Sequence, residues 1–493
     1  MTNPESNRVE ESLDPDDWQA MRQLGHQMIE DVMDYLENIR SRPVWQPIPE
    51  SIKAYLDQPL PEDPLGEAAA YREFVERILP HPMGNIHPRF WGWVIGTGTP
   101  IGMLSEMLAA CMNPNLGGAE HVANHVESQV ISWCKQMLGY PQEASGLLVS
   151  GGSMANLVGL TVARNTMAGV DLRNSGLRAL PCDMVLYASD ETHSSIQKSV
   201  ELLGLGNTAL RKIPVNSDYQ MDLTALKEAL AGDKDQGLQP FCIVANAGTV
   251  NTGAFDDIDA LADICATEDL WLHVDGAFGA FAALSPHLEH LVKGMQRADS
   301  LAFDLHKWMY MPIEIGCALV RDEPAHRNAF AMTPHYLEHG GERGLLAGSK
   351  WFSDYGVQLS RGFRALKAWM SLKAYGLGKY RRLIQQNVDQ ARYLAQLVDD
   401  HPELERIGPV PLNIVCFRYH SGNLTDTALN TLNQELLIRL HESGIAAPSY
   451  TTLNGQYVLR AAITNHRSQK EDFDVLVEAV VRLGRELTAQ QQF

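Results

Sequence analysis

The 493-residue chain has no uninterrupted apolar run of about 18 residues, the length a membrane-crossing helix needs. It has few cysteines, seven in all, odd in number, scattered and without a CxxC pair. That argues against both a disulfide framework and a zinc site, and most of the seven sit in apolar runs as small core residues. Basic residues are in deficit, 40 against 60 acidic, for a formal net charge of -20. No basic stripe is available to neutralise nucleic-acid phosphates or an anionic membrane surface. The polar, acidic start MTNPESNRVEESLDPDD lacks the character of a signal or transit peptide. Low-complexity segments and internal repeats are also absent. These features point to a folded protein of a reducing cytoplasm that binds neither nucleic acid nor membrane.

What is present is an alternation of short apolar strands and helices. Strands are expected at 147–150 (LLVS), 184–189 (MVLYAS), 241–248, 270–276, 300–304 (SLAFD) and 316–322, with helical stretches between most of them. This predicts an α/β fold with a mostly parallel sheet covered on both faces, and ligands bind such sheets at the carboxyl ends of the strands. From about residue 380 a smaller α+β lobe follows, with strands at 413–419 and 457–463. The expected division is 1–84 as a leading helical segment, 85–379 as the large domain and 380–493 as the small one. A helix starting after Asp14-Pro15 carries Met21, Leu24, Met28, Ile29, Val32, Leu36 and Ile39 on one face. That stripe suits packing against a second subunit.

Chemistry concentrates at the strand ends. In Asp304-Leu305-His306-Lys307-Trp308 a lysine lies between apolar runs. A buried ammonium must lose its proton or find a partner, and a neutral amine is a nucleophile suited to a Schiff base with a carbonyl. That chemistry points to pyridoxal phosphate, which stabilises carbanions at an amino acid's α-carbon. SGGSMAN (150–156) joins a strand to a helix, and free amides there make an anion site around Gly152 and Ser153. In HVDGAFG (273–279) Asp275 closes an apolar strand, where a carboxylate needs a partner such as a protonated pyridine nitrogen, and Ala277 leaves room for a flat ring. His193 in SDETHSSI (189–196) suits stacking on that ring. His306 suits a donor to phosphate or substrate, and Thr249 in NAGTVNTG adds a hydroxyl. Each motif alone also fits an ordinary turn or cap; their order carries the reading.

With HPRFWGW (87–93), SGGSMANL, SDETHSS, HVDGAFGA, DLHKW and LSRGFRALKAW (359–369), the chain resembles the group II pyridoxal-phosphate decarboxylases over residues 20 to 485. These include aromatic-amino-acid, glutamate and diaminobutyrate decarboxylases. The resemblance implies a fold-type I enzyme and a homodimer whose sites draw on both subunits. It makes Lys307 the Schiff-base lysine, Asp275 the pyridine-nitrogen partner, Ala277 the small residue beneath the ring and His193 the stacking histidine. Gly152, Ser153, Asp304 and His306 fall on the phosphate side; several family members have asparagine in place of Asp304. Where the family's mobile loop carries a reprotonating tyrosine, counting back from LSRGFRALK reaches Phe352, with Tyr355 and Tyr336 as nearby hydroxyls.

The expected reaction is decarboxylation of an L-amino acid, with an aromatic one favoured by Phe90, Trp91 and Trp93 in the substrate pocket. Arg460 would instead suit an acidic substrate or an internal ion pair. Phenylalanine at 352 keeps open an oxygen-dependent aldehyde synthase. An acidic or diamino-acid decarboxylase, an aminotransferase and a non-catalytic cofactor-binding protein are the other readings.

Overall fold

A computed structural model describes residues 11–332, 343–345, 347, 350–422 and 424–491. Its twelve strands in chain order are β1 (Phe90–Trp91), β2 (Ser145–Val149), β3 (Met184–Ser189), β4 (Leu210–Ile213), β5 (Gln239–Asn246), β6 (Trp271–Asp275), β7 (Ser300–Asp304), β8 (Gly316–Val320), β9 (Leu404–Arg406), β10 (Ile414–Tyr419), β11 (Ala447–Leu453) and β12 (Gln456–Ala462). The large sheet has the order β2-β8-β7-β6-β5-β3-β4. Only β8 runs against the rest, paired antiparallel to both β2 and β7. The near-continuous apolar strands bury both sides of this sheet. Val185, Tyr187, Ile243 and Ala245 enter one core, while Leu186, Ala188, Cys242 and Val244 enter the other.

The small sheet has the order β1-β11-β12-β10-β9. It packs on a separate core that includes Phe417, Leu459, Leu436 and Phe473. Here the sequence-based boundary at residue 85 needs correction. Phe90 and Trp91 pair with Ala447 and Pro448, so the chain visits the small sheet before it builds the large one. The boundary near 380 falls inside one long helix, Ala365–Asp399, interrupted at Gly376 (φ 67°). Its Ala365, Ala368 and Ile384 belong to the large core, and its Ala391, Leu394 and Val398 to the small one.

The leading helix spans Trp18–Glu37, capped by Asp17, whose carboxylate accepts from the amides of Gln19 and Ala20. Of its residues only Tyr35 is buried, so most of the apolar stripe is half covered within one chain. No helix among the described residues is long and apolar enough to cross a membrane. All seven cysteines are free thiols.

One buried ion pair ties the segment before the long helix to the large sheet. Arg361 and Glu127 side chains are 1% and 0% exposed. Arg361 also donates to Leu116 O (2.7 Å) and Leu148 O (2.6 Å), and Leu148 N donates to Glu127 Oε1 (3.2 Å). Removing one member strands the other charge in the interior. Arg361→Met should therefore lower the unfolding free energy by about 3–5 kcal/mol. Replacing both, as Arg361→Met with Glu127→Leu, should recover most of the loss. Urea unfolding of the three proteins checks this.

Candidate functional site

Register sets the two edges of the large sheet. Ser145 and Ser300 both pair with Val320, whereas Val149 and Asp304 both pair with Gly316. The two levels are four residues apart, about 13 Å at ordinary strand rise. The carboxyl edge carries the ends of β2, β3, β5, β6 and β7, and every strand-end motif lies there.

At that edge the helix Gly152–Met167 begins directly after β2. The first amides to bond back, those of Met154 and Ala155, both donate to Gly151 O, which leaves the Gly152 and Ser153 amides outside that ladder. Ser153 is exposed and Gly152 buried. A side chain at Gly152 would start 2.8 Å from Asp304 Oδ2 and 3.4 Å from Ala277 Cβ, so these elements meet closely.

Lys307 Nζ lies 3.0 Å from Asp304 Oδ2, the partner that an ammonium among apolar residues requires. Asp304 is 1% exposed, and neither of its oxygens accepts a hydrogen bond from the described residues, so the lysine's charge is its main compensation. His306 Nε2 lies 3.9 Å from the same oxygen, and its Nδ1 sits 3.1 Å from Ile315 N and 2.9 Å from Ile315 O. Burial holds the His306 imidazole below its ordinary value.

Asp275, at the end of β6, accepts from Asn156 Nδ2 (2.8 Å) and from the Ala277 amide (3.1 Å). His193 caps the helix Ser194–Leu202, with its Nδ1 2.8 Å from Ser195 Oγ. Burial pushes its pKa down, Asp275 and Asp304 pull it up and Lys307 pushes it down further. That mutual influence brings His193, Asp275, Asp304 and Lys307 into one electrostatic neighbourhood. Thr249 is buried, but its hydroxyl serves its own turn, accepting from Ala254 N (3.1 Å) and meeting Thr252 Oγ1 at 3.1 Å.

Several expectations need correction. Trp91 is fully buried in the small core, stacked on Phe473 at 4.8 Å and donating to Ser468 Oγ (3.1 Å). Phe90 is buried beside Val44 and Ala447. Both are packed in cores, whereas Trp93, 6.2 Å from the Phe90 ring, is 56% exposed. Phe352 is fully buried, with the Arg361 guanidinium 5.1 Å over its ring. Tyr355 donates its hydroxyl to Glu323 Oε1 (2.6 Å). Its carbonyl lies 2.8 Å from the Nε2 of His326, whose Nδ1 contacts Ser145 Oγ (2.7 Å). Tyr355 is therefore anchored at the amino edge, opposite Lys307. Tyr336 lies outside the described residues. Arg460 has no carboxylate partner among the described residues. It donates to Asn251 O, Trp93 O and Ser449 Oγ, each at 3.1 Å, and its buried Nη2 has no hydrogen-bond partner among the described residues.

Sequence reasoning missed Asn156, Ser195 and His273. The available signal was a polar residue embedded in an apolar run, His273 between Leu272 and Val274.

The residues present fit pyridoxal phosphate. Amides at a helix start suit its phosphate, a hydrogen-bonded carboxylate suits a cationic pyridine nitrogen, and a lysine beside it suits its aldehyde. Among characterised proteins, the chain is 34% identical to an aromatic-L-amino-acid decarboxylase of Bacillus atrophaeus, over 95% of this chain and 96% of that one. It is 29% identical to a phenylacetaldehyde synthase of Arabidopsis thaliana, over 94% and 97%. A crystal structure of Oryza sativa TDC with PLP and tryptamine superposes with a TM-score of 0.88 at 27% identity, covering 97% of this chain and all of that one. Residues 49–420 match the pyridoxal-dependent decarboxylase conserved domain. The fold, the strand-end site and these similarities agree, and the chain belongs to the pyridoxal-dependent decarboxylase family, carboxy-lyases that work on amino acids with pyridoxal phosphate.

Proposed function

We propose that this enzyme converts an L-amino acid with an aromatic side chain to its amine and carbon dioxide, with Lys307 as the residue that holds the cofactor. The observation that carries the reading is the grouping of Lys307, Asp275 and His193 at one sheet edge, with Trp93 open nearby. A side chain at Gly96 would come within 2.0 Å of His306 O and 2.6 Å of Lys307 O, so the segment that bears Trp93 runs against the lysine's backbone. An indole there offers a face for a flat, apolar substrate group. The aromatic-L-amino-acid decarboxylase and the tryptamine-bound structure among its relatives support the same choice.

When bound, pyridoxal phosphate supplies the electron sink that lets the bond from Cα to the carboxylate break. The chain's residues do the rest. The Gly152 and Ser153 amides would hold its phosphate, Asp275 would pair with its pyridine nitrogen, His193 and Ala277 would line its ring, and Lys307 would anchor its aldehyde and, once free, could move a proton at the substrate's α-carbon.

A second reading, the oxygen-dependent aldehyde synthase, is favoured by one observation. Neither Phe352 nor Tyr355 presents a hydroxyl to Lys307 within one chain. The amine is preferred because the family is one of decarboxylases, and relatives from Bacillus atrophaeus, Oryza sativa and Petroselinum crispum are named for that reaction. We further propose a homodimer of the cytoplasm. The half-covered leading helix and the exposed Met107, Leu108 and Met112 of the helix Pro100–Met112 form apolar surface that a second copy would cover.

Four measurements test this. Purified enzyme with pyridoxal phosphate and single L-amino acids should release an aromatic amine without oxygen uptake. Release of aldehyde, ammonia and peroxide would move the assignment to the oxidative reading. Lys307→Ala should abolish turnover and leave no cofactor attached after borohydride reduction; retained attachment would assign the anchor elsewhere. Trp93→Ala should raise KM for aromatic substrates about tenfold, with a smaller change in kcat. Sedimentation at twice the chain mass should report the dimer.

A further inference from the structure

Behind the carboxylate and the histidine of the site lies a buried chain of polar groups that no step above uses. Trp271 Nε1 is 2.8 Å from Ser300 Oγ, which is 2.7 Å from His273 Nδ1. His273 Nε2 is 2.9 Å from Asn156 Oδ1. Asn156 Nδ2 then reaches Asp275 Oδ2 (2.8 Å) and Ser195 Oγ (3.0 Å), and Ser195 Oγ reaches His193 Nδ1 (2.8 Å). Trp271, Ser300, His273, Asn156 and Ser195 are all buried, at 5% exposure or less. The packing around His273 is tight, since a side chain on Gly159 would start 2.6 Å from its Cε1.

The direction of each hydrogen in this chain follows from its carboxylate end. An indole N–H only donates, and an ionised carboxylate only accepts. Asp275 therefore faces the amide nitrogen of Asn156, which turns the amide oxygen to His273. That oxygen requires a proton on His273 Nε2. Burial keeps His273 neutral by lowering its pKa to about 4, so Nδ1 carries no proton and must accept. Ser300 then donates to it and, in turn, accepts from Trp271. The polarity is set from the Asp275 end, and the Trp271 N–H is compatible with it, because the Ser300 hydroxyl accepts there while it donates to His273. On the side branch Ser195 Oγ accepts from Asn156 and gives its own hydrogen to His193 Nδ1. The Ser195 amide points to the same nitrogen at 3.2 Å.

We propose that Asn156 is the positioning residue that joins the two halves of the cofactor site: a one-way hydrogen-bond chain from Trp271 through Ser300 and His273 divides at its amide, holding Asp275 as an unprotonated acceptor and, through Ser195, His193 as the Nε2–H tautomer. The inference rests on the reading that Asp275 and His193 face the cofactor. It adds that their states are set together, by one side chain that touches neither substrate nor cofactor. His193 accordingly presents an N–H, not a lone pair, to whatever lies over it.

Histidine-labelled holoenzyme, read by long-range nitrogen–proton correlation, tests this directly. His193→Gln and His273→Gln identify the two signals by their loss. The expected pattern is a bare Nδ1 and a protonated Nε2 for both rings. A proton on Nδ1 of either ring overturns the proposal. Asn156→Ala should weaken cofactor affinity at least tenfold and mix the His193 tautomers, whereas Ser195→Ala should mix those tautomers but weaken affinity less, because Asp275 keeps its donor. Equal losses in the two variants, or none in Asn156→Ala, would also overturn it. Should Asn156→Ala fail to fold, the unsubstituted enzyme's tautomers decide alone. None of these readouts depends on the substrate or product, so they stand apart from the amine-or-aldehyde question.

Discussion

A carboxylate can remain charged at the closed end of a buried strand only where donors meet it. Asp275 is that carboxylate, 5% exposed, with one amide from the turn that follows it and one from the Asn156 side chain. The turn needs Ala277 close by, and Asn156 needs the helix that starts at Gly152 to lie across β6. That same helix presents its first amides at the strand ends. One electrostatic demand thus binds the strand, the phosphate-side turn and the covering helix into a single arrangement.

Sheet polarity then sorts the molecule by role. At the carboxyl edge, helix starts and strand ends leave amides and polar side chains for a ligand. At the amino edge the polar groups are spent on structure. His326, pushed down to about 3 by burial, is held neutral between Ser145 and the Tyr355 backbone, and Tyr355 is committed to Glu323. Its hydroxyl is pushed well above the ordinary tyrosine value by burial and by that carboxylate. A tyrosine in that state is a poor proton donor as well as a distant one. Proximity along the sequence to a loop motif did not make it a site residue.

The parts of this fold legible in the sequence are those governed by local pattern. The apolar strands β2, β3, β5, β6, β7 and β8 are nearly continuous runs, and most are followed by polar or glycine-containing turns. The short edge strand β4 (LRKI) and β11, with its proline and polar residues, lack that pattern and were not anticipated. Lys307, Asp275 and His193 stood out because each places a costly or reactive group at a strand end. Asn156, Ser195 and His273 did not, because their role comes from pairing across 39 to 119 residues of sequence. An asparagine in the first turns of a helix reads as ordinary until its acceptors are known.

The aromatic run at 90–93 shows why pattern alone does not tell which of its rings is open to solvent. Strand alternation puts Trp91 and Trp93 on one face. β1 is only two residues long, however, and Trp93 has a left-handed backbone (φ 48°), which ends the alternation. Trp91 therefore points into the small core, while Trp93 is turned out, its backbone held by Ser449 Oγ on one side and Arg460 on the other. Both anchors belong to the small sheet, and Arg460 also grips Asn251 O in the turn after β5. The exposed indole is thus carried by the junction of the two cores. A change in the small sheet would reach the substrate side of the site through the Trp93 backbone, without touching the lysine or the carboxylate.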